Sequence, residues 1–463
     1  MFSTADTITA IATPPGRGGI GVVRIAGPEA EAIARRLLGR TRPLRPRHAT
    51  LATVRAASTT TTGDGPPIDT VVATWFRAPH SYTGDDVVEL AAHGSPPVLR
   101  QIVARAMAEG ARLAEPGEFT LRAYLNGRLD LAQAEAVADL IDAVTPLQAR
   151  AAMDQLDGTL TGAIGVLDAR LFDLLARLEA SLDFPDEGFH FATESEVTGD
   201  LAAIARDLEA LAREGRRGRV IREGVTVALA GRPNVGKSSL FNRLIGADRA
   251  IVTEAPGTTR DVLAADVDVA GLRVTFVDAA GLREASDAIE AEGVRRARAA
   301  HDVAQLVLVV LDQSEPLTPD DRAVLTADDE SRPSRPSRLI VANKSDRPAA
   351  WDVDELPRAG GAVFVSARTG DGIDTLRHRI VEALVGREVA SDLPAITNER
   401  HLALVETARA AVDRAQQALG AGATEEMVVA ELAAAREALE AVTGRRAPDD
   451  LLHHVFARFC VGK

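Results

Sequence analysis

The sequence predicts a multidomain chain with an N-terminal α/β domain, an α-helical bundle that is discontinuous along the chain, and a second α/β domain inserted into that bundle. Three observations predict this. The chain has 463 residues, which at roughly 100 to 200 residues per domain is enough for several cores. Its hydrophobic period changes along the sequence, from short β-rich runs to apolar spacings of three and four. A block of alternating strands and helices then separates two stretches of helical texture, as an insertion would.

Residues 1–120 carry the β-rich runs Gly19 to Ile25, Thr70 to Phe76 and Asp86 to Leu90, mixed with helical segments and with Pro-Gly turns at Pro15-Gly16 and Pro116-Gly117. Within them, Thr59 to Pro67 is nearly free of apolar side chains and reads as an exposed loop. Residues 121–220 are helical. Met153, Leu156, Leu160, Ile164, Leu167, Leu171, Leu174 and Leu178 fall on one face, which predicts a single long amphipathic helix. The Gly- and Arg-rich run Glu214 to Glu223 reads as a linker. Residues 221–385 form the inserted α/β block. Residues 386–463 return to helix, with one stripe of Leu402, Val405, Val412, Ala415 and Leu419 and another of Val429, Leu432, Ala435, Leu439 and Val442. Each helical segment has an apolar face that needs a partner, so the two are expected to share one bundle.

Composition narrows the class. Hydrophobic residues are 46% and charged residues 26% of the chain, the profile of a globular protein. The 53 Lys and Arg against 67 Asp and Glu leave a net charge of −14, which speaks against a general nucleic-acid coat. Cys460 is the single cysteine, so an intrachain disulfide and a cysteine-ligated zinc site are excluded and a reducing compartment is expected. The histidines show no metal-binding spacing, and the neighbours His453 and His454 point to different sides of a helix. The amino terminus lacks a secretory signal pattern, and runs such as Val303 to Leu311 are far short of the ~20 residues that cross a bilayer. A cytoplasmic protein with no membrane association is expected.

The inserted block carries the chemistry. The strand Val225 to Ala230 runs into Gly231-Arg-Pro-Asn-Val-Gly-Lys-Ser238 and then a helix, a P-loop in its required context. Its backbone N–H groups would wrap phosphates, Lys237 would add charge, and the Ser238 hydroxyl would ligate Mg²⁺. Three further motifs follow in order at strand ends: Asp278-Ala-Ala-Gly281, Asn343-Lys-Ser-Asp346 and Ser366-Ala367. The carboxylate of Asp346 can accept from both the ring N–H and the exocyclic amine of guanine, a donor pair adenine lacks. The block is therefore expected to be a P-loop GTPase domain. Leu282 stands where a Ras-type enzyme has its water-orienting glutamine, which leaves Glu284, Asp287, Glu290 and Glu292 as candidates for that role.

Over essentially its whole length the sequence resembles the MnmE (TrmE) family of tRNA modification GTPases. The resemblance rests on Thr13-Pro-Pro-Gly-Arg-Gly-Gly19, Ser81-Tyr-Thr-Gly-Asp-Asp86, Pro116-Gly-Glu-Phe-Thr-Leu-Arg-Ala123, Leu125-Asn-Gly-Arg-Leu-Asp-Leu-Ala-Gln-Ala134 and the carboxyl-terminal Phe459-Cys-Val-Gly-Lys463. It implies a tetrahydrofolate-binding and dimerisation domain over 1–120, a helical domain in two parts over 121–220 and 386–463, and the GTPase domain over 221–385. It also implies a homodimer that joins the FAD- and NADH-using partner MnmG (GidA) in an α2β2 complex. That complex would add an aminomethyl or carboxymethylaminomethyl group to carbon 5 of a tRNA wobble uridine, with 5-formyl- or methylene-tetrahydrofolate as the one-carbon source.

Carried over by position, the nucleotide contacts implied are Gly231, Asn234, Val235, Gly236, Lys237, Ser238 and Ser239, then Thr253, Glu254, Ala255, Pro256, Gly257, Thr258 and Thr259. Asp278, Ala279, Ala280 and Gly281 follow, with Asn343, Lys344, Ser345, Asp346, Ser366, Ala367 and Arg368 around the base. K⁺ would be held by Asn234, Thr253, the Ala255 carbonyl and Thr258, and Mg²⁺ by Ser238 and Thr259, while Glu290 would orient the water. Folate contacts fall on Arg24, Glu89, Arg128 and Lys463. The chain departs from the family at Ala279, usually threonine, and at Arg128, usually lysine, where a point donor becomes a planar fork. Cys460 has two readings, a small buried residue in a docked tail or a nucleophilic thiol near the one-carbon group. The alternative for the whole chain is a GTPase switch in ribosome assembly without modification chemistry. A folate-dependent transferase acting on another substrate is a third possibility, and it leaves the GTPase block unexplained.

Overall fold

The computed structural model describes residues 5–57, 65–183, 193–246, 264–278, 304–326, 337–356, 361–385 and 395–462. The chain divides into two compact units, one of residues 1–138, 164–172 and 433–463, the other of residues 139–163 and 173–432.

The first unit is built on a six-stranded sheet. Its strands are β1 (Ile8–Ile11), β2 (Gly18–Ala26), β3 (Thr50–Arg55), β4 (Pro67–Phe76), β5 (Val87–Gly94) and β6 (Arg112–Leu113). They lie in the order β3-β4-β5-β2-β1-β6, antiparallel except where β1 meets β6. Alternation along β2 sends Val23 and Ile25 to one face and Val22 and Arg24 to the other. On the first face the helices Ala30–Leu37 and Pro96–Ala108 bury Ile33, Leu37, Leu99 and Ile102 in a core with Val23, Ile25 and Leu90. Each such side chain contributes about 1.5–3 kcal/mol on burial. Gly21 lets that core close, since a Cβ there would lie 2.5 Å from Leu99 Cδ1.

The carboxyl-terminal residues are part of this unit. Leu452, Val455, Phe456 and Phe459 form a cluster with Leu121 and Leu131, and the Tyr124 hydroxyl donates to the Gly444 carbonyl at 2.6 Å. An isolated bridge joins Pro116 to Val461. Arg122, 1% exposed, donates to Glu118 Oε1 at 2.9 Å, to Asp6 Oδ1 at 2.5 Å and to the Asp6 carbonyl at 2.7 Å.

The second unit corrects two expectations. Glu214 to Glu223 is not a linker but the end of a continuous helix, Glu194–Glu223, which starts with a capping box between Thr193 and Glu196. Its glycine Gly215 is a contact point rather than a hinge, because a Cβ there would lie 3.0 Å from Leu402 Cδ1. Its arginines are committed to ion pairs: Arg222 reaches both Asp139 oxygens at 2.8 and 2.7 Å, and Arg216 reaches Glu406 at 3.0 Å. The apolar stripe starting at Met153 is likewise two helices, Pro146–Leu156 and Thr159–Asp183. They break at Gly158 with φ 92°, and Met153 is exposed. The helix Glu399–Gly420 packs along Glu194–Glu223, so helices from both sides of the inserted block do associate.

The inserted block holds a second six-stranded sheet of β7 (Val225–Ala230), β8 (Ala264–Val269), β9 (Leu272–Asp278), β10 (Leu306–Asp312), β11 (Ser337–Asn343) and β12 (Val363–Val365). Its order is β12-β11-β10-β7-β9-β8, parallel except for the β8–β9 hairpin. Every residue of β10 is buried, the continuous apolar run expected of a strand covered on both faces.

Candidate functional site

The sheet of the second unit sets the nucleotide motifs side by side at the carboxyl ends of β7, β9, β11 and β12. Gly231 has φ 144° and a Cβ there would lie 2.3 Å from the Val310 carbonyl, while Asn234 is left-handed at φ 67°. These conformations turn the chain tightly into the helix Lys237–Gly246. Lys237 is buried, and its Nζ donates to the carbonyls of Gly231 at 2.9 Å and Arg232 at 2.8 Å. The ammonium therefore lies across the loop, where an entering phosphate oxygen would take over its donor bonds.

Asn343 ties the phosphate loop to the base loops. Its Nδ2 donates to the Val235 carbonyl at 2.8 Å, and its Oδ1 accepts from Ala367 N at 3.1 Å. Gly236, at φ 95°, leaves room for this link, since a Cβ would lie 2.3 Å from Asn343 Nδ2. Asp346 accepts from the Ser366 hydroxyl at 2.8 Å, which with nearby Arg368 and Arg347 holds its carboxyl below the usual range, ionised and oriented. Lys344 is left-handed at φ 66° and donates to the Asn234 carbonyl at 3.1 Å and to Asp312 Oδ2 at 2.5 Å.

Asp312 was not foreseen. It ends the apolar strand β10, and an acid closing such a run at the carboxyl edge of a sheet is the signal that could have found it. Burial works against its charge, but hydrogen bonds from Lys344 and Ser314 outweigh this and keep its carboxyl below the usual range. Arg243 was also missed, although it donates to the carbonyls of Ala367 at 3.1 Å and Arg368 at 2.6 Å and so braces the base loop. Thr253 to Thr259, Ala279, Ala280, Gly281 and Glu290 lie outside the described residues, as do Glu284, Asp287 and Glu292. Asp278 is the last residue of β9.

The first unit holds Arg24 and Glu89, two of the residues expected to contact folate. Arg24 on β2 and Glu89 on β5 are direct cross-strand neighbours, so register alone juxtaposes them. Arg24 Nε and Nη2 donate to Glu89 Oε1 at 3.0 and 2.8 Å, and Nη1 reaches the Gly462 carbonyl at 3.3 Å. The guanidinium lies 5.5 Å from the ring centroids of both Tyr82, within Ser81 to Asp86, and Phe119, within Pro116 to Ala123. Burial raises the Tyr82 phenol above its ordinary pKa, against the pull of Thr120 and Arg24.

The tail residue Gly462, at φ 99°, approaches β1 so closely that a Cβ would lie 2.2 Å from the Ile11 carbonyl. Cys460 is exposed, so the reading of a buried packing residue is corrected, and its carbonyl accepts from Gly117 N at 3.4 Å. Arg128 is also exposed, on the turn after helix Glu118–Leu125, with its stem beside Gly84. Lys463 lies outside the described residues. Among the described residues no helix is long and apolar enough to cross a membrane.

Two family models match the chain, the MnmE helical domain over residues 131–460 and the GTP-binding protein TrmE N-terminus over residues 7–128. The tRNA modification GTPase MnmE of Nitrosomonas europaea is 43% identical over 463 residues, all of both chains. That of Symbiobacterium thermophilum is 44% identical over 466 residues, 99% of each chain. That of Bordetella bronchiseptica is 44% identical, covering 98% of this chain and 99% of its own.

Proposed function

This chain belongs to the MnmE family of tRNA modification GTPases, and from that premise we propose that GTP hydrolysis in its second unit serves a folate-dependent modification of the tRNA wobble uridine. The product would be an aminomethyl or carboxymethylaminomethyl group on carbon 5. The chain acts as a homodimer within an α2β2 complex with MnmG, which contributes FAD and uses NADH, and the setting is the cytoplasm. The domain division is that of a folate-binding and dimerisation domain over 1–120, helical parts over 121–220 and 386–463, and the GTPase domain over 221–385.

The observation that supports the folate reading best is the Arg24–Glu89 pair, set against two aromatic rings and the Gly462 carbonyl. A carboxylate accepts from pterin donors, and cations take the ligand's glutamate tail. Glu89 supplies the former, with Arg24, Arg128 and Lys463 the latter. The exposed Cys460 in the adjoining tail is the candidate nucleophile toward the one-carbon unit.

In the GTPase site, a cradle closed to any Cβ at Gly231 and Gly236 suits a triphosphate. Ser238 and Thr259 would hold Mg²⁺, and Asn234, Thr253, the Ala255 carbonyl and Thr258 would hold K⁺; both ions supply positive charge at the phosphate oxygens. Glu290 orients the attacking water in place of the glutamine that Leu282 replaces. Turnover of GTP is expected to be faster in K⁺ than in Na⁺ at equal ionic strength, and equal rates would remove the K⁺ site. Nucleoside analysis of bulk tRNA tests the function. Cells lacking the chain should lose the carbon-5 modification, and a Glu290→Ala copy should not restore it. An unchanged tRNA profile would favour the ribosome-assembly switch instead.

A further inference from the structure

The loop between helix Ala30–Leu37 and β3 concentrates positive charge in an acidic chain. Between residues 32 and 63 the sequence has seven arginines and no Asp or Glu, whereas the whole chain carries −14. Arg35 and Arg36 are paired with Glu31 and Glu109, at 3.8 and 2.6 Å. Arg40, Arg42 and Arg45 are exposed, and among the described residues none of them has a carboxylate at ion-pair distance. A solvated surface ordinarily interleaves the two signs, so a run of one sign on an otherwise acidic chain calls for an anionic partner.

The loop is also held in shape. Leu44 is its buried plug, and Leu44 N donates to Glu31 Oε1 at 3.0 Å. Pro43 and Pro46 restrict the backbone on either side. Arg47 is left-handed at φ 57°, a conformation a long side chain adopts only when its surroundings enforce it. Here its N donates to the Trp75 carbonyl at 2.7 Å and its Nη2 to the His80 carbonyl at 2.8 Å. Those bonds join the loop to the turn that carries exposed Arg77.

We propose that this loop, together with Arg77, docks the phosphate backbone of tRNA. Planar guanidinium forks match phosphate oxygens, and a loop already fixed in shape loses little entropy on binding. The surface offers five exposed cations and no exposed apolar side chain among residues 39–49 large enough to anchor a peptide, which favours a nucleic-acid backbone over an acidic protein. The negative charge elsewhere does not cancel the patch, because it is screened beyond about 10 Å at moderate salt. The proposal rests on tRNA being the macromolecule this family acts on.

The test uses the full chain, bulk deacylated tRNA and dissociation constants measured over a series of KCl concentrations. The triple variant Arg40→Gln/Arg42→Gln/Arg45→Gln should flatten the slope of log affinity against log salt by about 2 to 3 and weaken binding at the lowest salt by about tenfold or more. Its intrinsic GTP turnover and melting temperature should stay unchanged, and the corresponding triple Arg→Lys variant should keep most of the slope. Equal affinity and slope in wild type and the Gln variant would overturn the proposal while leaving the tRNA function standing. Loss of a protein partner or of the dimer with tRNA binding intact would overturn it in favour of a protein-docking surface. Absence of any salt-dependent tRNA binding by the wild-type chain would overturn the proposal, while the modification function stands or falls on the tRNA nucleoside profile.

Discussion

Lys237 in the nucleotide loop donates to two backbone carbonyls of the loop itself, whereas Arg24 in the first unit donates to the carboxylate of a neighbouring strand. The difference decides what each pocket asks of a ligand. An anion that draws Lys237 off these carbonyls costs each of them a modest loss that small loop movements or water repair. A ligand that draws Arg24 away strands Glu89, a half-buried anion, and stranding a charge costs far more than losing a neutral acceptor. The first pocket therefore selects for negative charge. The proposed folate site would take a ligand that brings donors for Glu89 and acceptors for Arg24 together.

The largest predicted effect breaks the first pocket alone. Gly236→Ala places a methyl 2.3 Å from Asn343 Nδ2 and forces alanine to φ 95°. Backbone strain of about 1–3 kcal/mol, added to the loss of the Asn343 bond that joins the phosphate and base loops, should weaken GTP binding about a thousandfold. Fluorescent-nucleotide titration reads this directly. Ligand binding by the first unit should be unchanged, and a loss there as well would mean that the two pockets cannot be treated separately.

The second prediction concerns what holds the N-terminal pocket in shape. Arg122→Ala removes the buried guanidinium from Glu118 and Asp6 but leaves Arg112 paired with both, so the loss is that of charge-assisted hydrogen bonds, about 1.5–3 kcal/mol. The chain has two tryptophans, Trp75 in the first unit and Trp351 in the second. A Trp351→Phe background therefore reports the first unit alone by fluorescence during urea unfolding. The pH dependence has a definite sign. Burial opposes the charge on Asp6 and Glu118, but hydrogen bonds from Arg112 and Arg122 outweigh it and hold both carboxyls below their ordinary values of 3.8 and 4.5. Their contribution is complete above those values and is lost as the pH falls through the folded-state pKa. The wild-type unit should lose stability steeply below about pH 4, and Arg122→Ala more gradually from a lower starting point.

The two pockets also differ in how far they could be read from sequence. The nucleotide loop was legible because its requirements are local: glycines where the backbone must turn with positive φ, a lysine one residue on, and a strand before and a helix after. Asp312 escaped notice because its role depends on which strand lies beside β11, information carried by sheet order and not by spacing. The Arg24–Glu89 pair spans 65 residues and exists through β2–β5 register, so only resemblance to a family singled those two residues out. Composition misled at Glu214 to Glu223, where glycine and arginine suggested a linker. Gly215 is there so that another helix can come close, and Arg216 and Arg222 are there to pair with acids on neighbouring segments. Periodicity misled across the helix break at Gly158, because Met153 and Leu156 keep the three-and-four spacing while their helix buries Gln148, Ala151, Ala152 and Gln155 instead.

The smallest predicted effect sharpens the comparison most, because its sign is diagnostic. Glu89→Gln keeps an acceptor beside Arg24 but removes the negative charge. If Glu89 receives the ligand's donors, tetrahydrofolate loses a charge-assisted hydrogen bond of about 1.5–3 kcal/mol and binds roughly 10- to 100-fold more weakly. If Glu89 serves only to neutralise Arg24 until the ligand arrives, removing its charge frees the guanidinium, and an anionic tail binds more tightly. Equilibrium titration with tetrahydrofolate and with a des-glutamate pterin separates the two. Weaker binding of both ligands assigns Glu89 to the pterin, while tighter binding of the glutamate-bearing ligand alone assigns it to the resting state of Arg24. GTP turnover should be the same in the variant and the wild type.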